Sequence, residues 1–137
     1  MEIVKYLAVY AAGFLTILIL DYIWLGIVTK NFIIKEFWDL ITVTDWKIDI
    51  NLPAWILAWL SIAIMVVTFV TLRFTGYKDI ILYWALMGWM MYAMYDLTNL
   101  TFLTGYSLKF TLVDIAWGTF ACTLIAVNSY YVLTLFK

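Results

Sequence analysis

Asp21, Asp96 and Asp114 are the residues of this chain best placed to do chemistry. Each is the single charged residue inside a long apolar run, and no lysine or arginine shares those runs. A charge held in hydrocarbon costs about 3 kcal/mol on insertion scales, so intramembrane acids face a bundle interior or a water-filled cavity. Three ionised carboxylates facing one another would repel, leaving few stable states: a shared proton, hydrogen bonds to neutral donors, or a bound cation. Oxygen ligands suit protons and hard cations and reject soft metals. Two carboxyl groups in unequal surroundings can also act as general acid and general base.

Neutral partners lie at helical spacing. Trp89, Tyr92, Asp96 and Asn99 recur every three or four residues and share a face, with Tyr95 and Thr98 flanking it. Asp114, Trp117, Gly118 and Ala121 form a second face, narrow enough for close helix approach. Asp21 and Trp24 are one turn apart. The expected site holds a proton or ion on Asp21, Asp96, Asp114, Asn99 and Thr98, rimmed by Trp24, Trp89, Tyr92, Tyr95 and Trp117. The alternative is that these polar groups only hold helices together, at about 0.6 kcal/mol per contact.

The elements that must position these residues follow from composition. Of 137 residues, 67% are hydrophobic and 12% are charged, against roughly a quarter charged in a soluble domain. Mean hydropathy is +1.02. Such a chain in water would expose apolar patches large enough to aggregate, so it is expected to be an integral, multi-pass membrane protein in contact with lipids. A net charge of −1 offers no basic stripe for nucleic acid. One cysteine and no histidine leave neither a disulfide nor the commonest metal ligands, so no metal site or cofactor is expected.

Four apolar runs, at about 6–28, 53–72, 80–102 and 110–136, are long enough to cross a hydrocarbon core as helices. The fold class is therefore all-α, a four-transmembrane-helix bundle forming one domain over 1–137. No small-residue cleavage site follows the first run, which is expected to be a retained span. Antiparallel packing places Asp21 about 10 Å, Asp96 about 9 Å and Asp114 about 6 Å from the membrane face opposite the termini. All three then share one depth. The other half of the bilayer carries only Thr16, Thr68 and Asn128 as polar steps.

Within the long connection 29–52, Ile34, Phe37, Trp38 and Ile41 form an apolar stripe. It fits either a helix lying in the interface or a continuation of the first span. Asp45 to Leu52 alternates polar and apolar as a short extended return would. Arg73–Asp79 and Thr104–Lys109 read as polar turns, and Trp55, Tyr77, Tyr106 and Tyr130 as interfacial anchors. Lys5, Arg73, Lys78 and Lys137 face Lys30, Lys35, Lys47 and Lys109 across the bilayer. That balance gives no majority. The pairing of Arg73 and Lys78 in one turn favours cytoplasmic termini.

Asp21-x-x-Trp24-Leu-Gly26, Tyr92-x-x-Tyr95-Asp96-Leu-Thr98-Asn99 and Asp114-x-x-Trp117-Gly118-Thr119 resemble the motifs of an uncharacterised bacterial membrane-protein family, domain of unknown function 2177. The resemblance covers spans one, three and four and the order of all four, while segment 36–52 departs from the family pattern. It implies a four-helix membrane fold, singles out the same aspartates, and implies no activity. The residues point first to binding or translocation of a proton or small hard cation. A lipid- or isoprenoid-binding enzyme with paired carboxylates and a structural or assembly subunit are the alternatives. So few helices leave little interior, and aromatic faces remain for a homo-oligomer.

An even number of spans makes a direct prediction. Cysteines introduced at Glu2 and Leu135, with Cys122→Ala, should react with an impermeant thiol reagent from the same side of sealed vesicles. Labelling from opposite sides would mean an odd number of crossings.

Overall fold

A computed structural model describes every residue except Met1, Trp38, Leu40, Trp46, Lys137 and the side chain of Val70. Helix α1 (Glu2–Ile23) runs into a π-helical turn at Trp24–Val28 and is followed by a short helix, α2 (Lys30–Glu36). Two short antiparallel strands, β1 (Val43–Thr44) and β2 (Lys47–Ile48), lead to α3 (Leu52–Val66), which ends in a second π-helical turn at Val67–Thr71. Helices α4 (Tyr77–Phe102) and α5 (Leu108–Thr134) complete the chain. Among the described residues, four helices are long and apolar enough to cross a membrane: Glu2–Val28, Leu52–Phe69, Tyr77–Phe102 and Leu108–Thr134.

The start signals are local. Asn51 caps α3 by accepting from the Ala54 amide at 3.2 Å, with Pro53 in the first turn, where its missing N–H costs nothing. Ser107 caps α5 in the same way through the Phe110 amide. The first span begins earlier than the sequence suggests because Glu2 favours the positive end of the helix dipole. The third also begins earlier: Lys78 and Asp79 lie in its first turn, not in a loop. At the far end of α1, both the amide and the hydroxyl of Thr29 bond to the Trp24 carbonyl at 2.7 Å, closing the wide turn and breaking the axis.

That break decides the fate of the long connection. It neither continues α1 nor turns its apolar stripe to lipid. Ile34 and Phe37 are buried against the protein, and Phe37 packs on Tyr106 and on Phe110, with ring centroids 5.3 and 4.6 Å apart. Trp38, also assigned to the stripe, lies outside the described residues. The extended return pairs with an upstream partner strand that alternation did not reveal, with Val43 opposite Ile48. Asp45 takes a left-handed φ of 49° at the turn, and the Thr44 hydroxyl donates to Asp49 at 2.8 Å.

Contacts at the helix ends fix the antiparallel order. Tyr10 meets Thr68 while Asp21 meets Trp55, so α1 and α3 run in opposite directions. Tyr77 packs edge-on against Tyr130, at the start of α4 and the end of α5. The core joins Val9 and Ile17 to Val66, Trp84, Cys122 and Ile125, all fully buried. Cys122 is a small packing residue, whereas Tyr130, expected at the interface, is a core residue because Tyr77 covers it. Large apolar side chains such as Leu57, Met94 and Phe102 remain on the outside, as a lipid-facing surface requires.

The tightest seam lies between α4 and α5. A Cβ at Gly88 would lie 2.8 Å from the Gly118 carbonyl oxygen and 2.9 Å from the Cys122 Cβ. A Cβ at Gly118 would run into the Tyr92 ring. Both glycines are therefore required by close approach of the helices. Gly118→Ala should displace the Tyr92 ring and lower stability by about 1–3 kcal/mol, read as an earlier unfolding midpoint in mild detergent. An unchanged midpoint would mean that the seam can relax without cost.

Candidate functional site

The four-residue step Ile80, Trp84, Gly88, Tyr92, Asp96 runs along the α4 side of this seam and delivers Asp96 to its end. Asp96 is fully buried. Its Oδ1 accepts a 2.6 Å hydrogen bond from the Tyr106 hydroxyl, contributed by the α4–α5 turn. Its Oδ2 is buried and has no hydrogen-bond partner among the described residues. The carboxyl of Asp114, half-buried on α5, faces Asp96 within hydrogen-bond reach. Tyr92 lies within electrostatic reach of Asp21, Asp96 and Asp114, and its own hydroxyl is buried without a partner among the described residues.

Asp21 is also buried, at 1% exposure, but it has its own donor. The Trp55 indole nitrogen donates to its Oδ2 at 2.9 Å. Trp59, one turn further along α3, brings its indole near the same carboxyl without completing hydrogen-bond geometry. The three aspartates thus form a close pair, Asp96 with Asp114, and a neighbour, Asp21, on the α3 side. Among the described residues no three acidic, histidine or cysteine side chains converge closely enough to hold a metal ion.

The other expected site residues divide. Trp24 and Trp117 stack in parallel at 4.3 Å, joining the π-helical turn after α1 to α5. Asn99 approaches the Tyr106 phenol. Tyr95, half outside, lines two openings onto Asp114. One, of about 260 Å³, lies under the turn between Phe37, Asn99, Tyr106 and Phe110. The other, of about 430 Å³, opens between α3 and α4, past Trp59, Ile62, Met91 and Tyr92. The structure does not bring Trp89 or Thr98 to the aspartates. Both line a shallow outer face of α4 with Met90 and Met94, and the Thr98 hydroxyl donates to the Met94 carbonyl at 2.6 Å. The reason is the four-residue step of the seam: each step drifts around the helix, so Gly88 faces α5 and its neighbour Trp89 points outward.

Trp55 and Tyr106, which donate to Asp21 and Asp96, are the side chains that the sequence assigns to interfacial anchoring. Trp55 lies in the first turn of α3, at the depth of Asp21 across an antiparallel pair, and this register could have paired them. Nothing in sequence spacing links Tyr106 to Asp96 across an irregular turn.

The family described as a predicted membrane protein, domain of unknown function 2177, has a model that matches residues 6–131. The chain belongs to that family. The match runs through all four spans and through segment 36–52. No curated protein and no solved structure matches the chain.

Burial and the hydrogen bond to Asp96 push the Tyr106 phenol well above its ordinary range. Its neutral form is therefore favoured in the folded protein. The stabilisation is complete below the unfolded value of about 10 and is lost as pH rises toward the folded one. Tyr106→Phe should lower stability by about 1–3 kcal/mol at neutral pH by orphaning Asp96 Oδ1. The difference between wild type and variant should shrink under strong alkali. A gap that widens with pH would contradict the assigned hydrogen bond.

Proposed function

We propose that this membrane protein binds a proton at the Asp96–Asp114 pair and exchanges it with the face that carries the α4–α5 turn. The observation that carries the reading is the partnerless, fully buried Asp96 Oδ2 beside a second carboxyl group, with basic side chains confined to the first turns of the spans, at Lys5, Lys78 and Lys109. Two ionised carboxylates cannot hydrogen-bond to each other, whereas one shared proton supplies the missing donor and removes half the charge. Unit charges about 5 Å apart repel by about 3 kcal/mol at an effective dielectric of 20. Tyr106 holds the pair from the turn side, and the opening beneath Phe37 gives water a route to Asp114. A proton suits this pair because it needs only the two carboxyl oxygens as partners.

In the other half of the bilayer, Tyr10 is paired with Thr68 and Asn128 with Thr16, so these steps act as helix contacts. Translocation through that half would require a neighbouring copy, and a homo-oligomer belongs to the transport form of this proposal. Arg73 and Lys78 near one turn support cytoplasmic termini. A second reading is acid–base chemistry on an apolar-chain substrate, favoured by the lateral opening between α3 and α4 that ends on Asp114.

Potentiometric titration of the purified protein from neutral to moderately alkaline pH tests proton binding. Wild type should release one more proton per chain than Asp96→Asn, and Asp114→Asn should behave likewise. Equal release by all three would overturn the shared proton. Unfolding of both variants without any change in titration before unfolding would make the pair structural glue.

A further inference from the structure

Asp21 also forms the floor of a cavity of about 440 Å³ bounded by α1, its π-helical turn, the β1–β2 hairpin and the start of α3. That size lies within the range of small-ligand pockets. Leu25 and Ile48 supply apolar wall, and Lys30 and Lys47 stand at the rim from two different elements. Neither lysine forms an ion pair among the described residues. Asp21, 1% exposed, accepts its 2.9 Å bond from Trp55 at Oδ2, with the Trp59 indole near the same carboxyl, and Oδ1 accepts no hydrogen bond among the described residues. A buried acid and two cations around one cavity form a dipolar site with apolar walls.

Gly26 carries a second and independent indication. Its φ is not in the left-handed region, and a Cβ there would meet only the Tyr22 ring, at an ordinary 3.8 Å. Neither backbone conformation nor packing of the chain on itself calls for glycine at this position, unlike Gly88 and Gly118. The space above it belongs to the cavity.

We infer that the cavity bounded by Asp21, Gly26, Lys30 and Lys47 binds the headgroup of a phosphatidylethanolamine-type lipid, a zwitterion bearing a primary ammonium and a phosphate on an acyl-chain body. The ammonium donates to Asp21, the phosphate lies between the two lysines, and the chains leave past Leu25 toward exposed Tyr22 and Ile50. Charge complementarity selects this occupant. A phosphatidylglycerol headgroup has no cation for Asp21, and a quaternary choline has no N–H to donate. Long lysines reach such a phosphate because their apolar stems tolerate the wall while the heads stay at the interface.

The test adds phosphatidylethanolamine, phosphatidylglycerol or phosphatidylcholine with identical chains to delipidated protein in mild detergent, and counts retained lipid by native mass spectrometry. Wild type should retain phosphatidylethanolamine most tightly. Lys30→Gln with Lys47→Gln should weaken all three lipids about fivefold per lysine, because all three carry the phosphate. Asp21→Asn should erase a margin on the order of tenfold between phosphatidylethanolamine and phosphatidylglycerol. Gly26→Leu fills the cavity without a clash at its Cβ, and should reduce phosphatidylethanolamine binding with helix content and unfolding midpoint retained. Phosphatidylglycerol binding as tightly as phosphatidylethanolamine in wild type would overturn the inference, as would unchanged lipid retention in folded Gly26→Leu.

Discussion

The approach of α4 to α5 at Gly88 and Gly118 is the constraint on which the site depends. With no side chain at either position the two backbones come into contact, and the Tyr92 ring lies across Gly118. One turn beyond Tyr92, the same geometry brings Asp96 to Asp114. Lipid supplies no hydrophobic drive to press helices together, so packing at small residues and interhelical hydrogen bonds must do it. The carboxyl pair is thus a consequence of the seam. A wider separation would admit water or lipid between the acids.

The two halves of the bundle are built differently. Toward the termini, apolar residues such as Val9, Val66 and Trp84 fill the interior, and the sparse hydroxyl and amide groups pair across helices. Toward the opposite face, burial is bought with polar pairings: Trp55 on Asp21 and Tyr106 on Asp96. The helices are interrupted at that end as well. Thr29 closes the π-helical turn of α1, α2 folds Phe37 over Tyr106 and Phe110, and the hairpin brings Lys47 to the cavity that Asp21 lines. These interruptions open space beside buried acids without unfolding the spans that carry them.

Much of this was legible in the sequence, and the limits have physical causes. A run of some twenty apolar residues must be helical in lipid, so the four spans followed from hydropathy. Depth followed from helical rise and antiparallel order, which is why Asp21, Asp96 and Asp114 could be grouped before any contact was known. Rotation about the helix axis is less well determined by spacing. Trp89 is seven residues from Asp96 and should share its face, yet a seam that advances by four leaves Trp89 outside. Donors from other elements were the hardest to find. An aromatic near a span end satisfies the rule for interfacial anchoring equally well whether its polar atom meets water, as expected for Tyr106, or an acid, as observed.

The central claim is that Asp96 and Asp114 hold one proton between them in the resting protein. Infrared spectroscopy of the reconstituted protein near neutral pH reads this most directly. A protonated-carboxyl stretching band that shifts in D2O, is altered by Asp96→Asn and by Asp114→Asn, and survives Lys30→Gln is the expected result. A spectrum in which every buried carboxyl is ionised in metal-free buffer would contradict it.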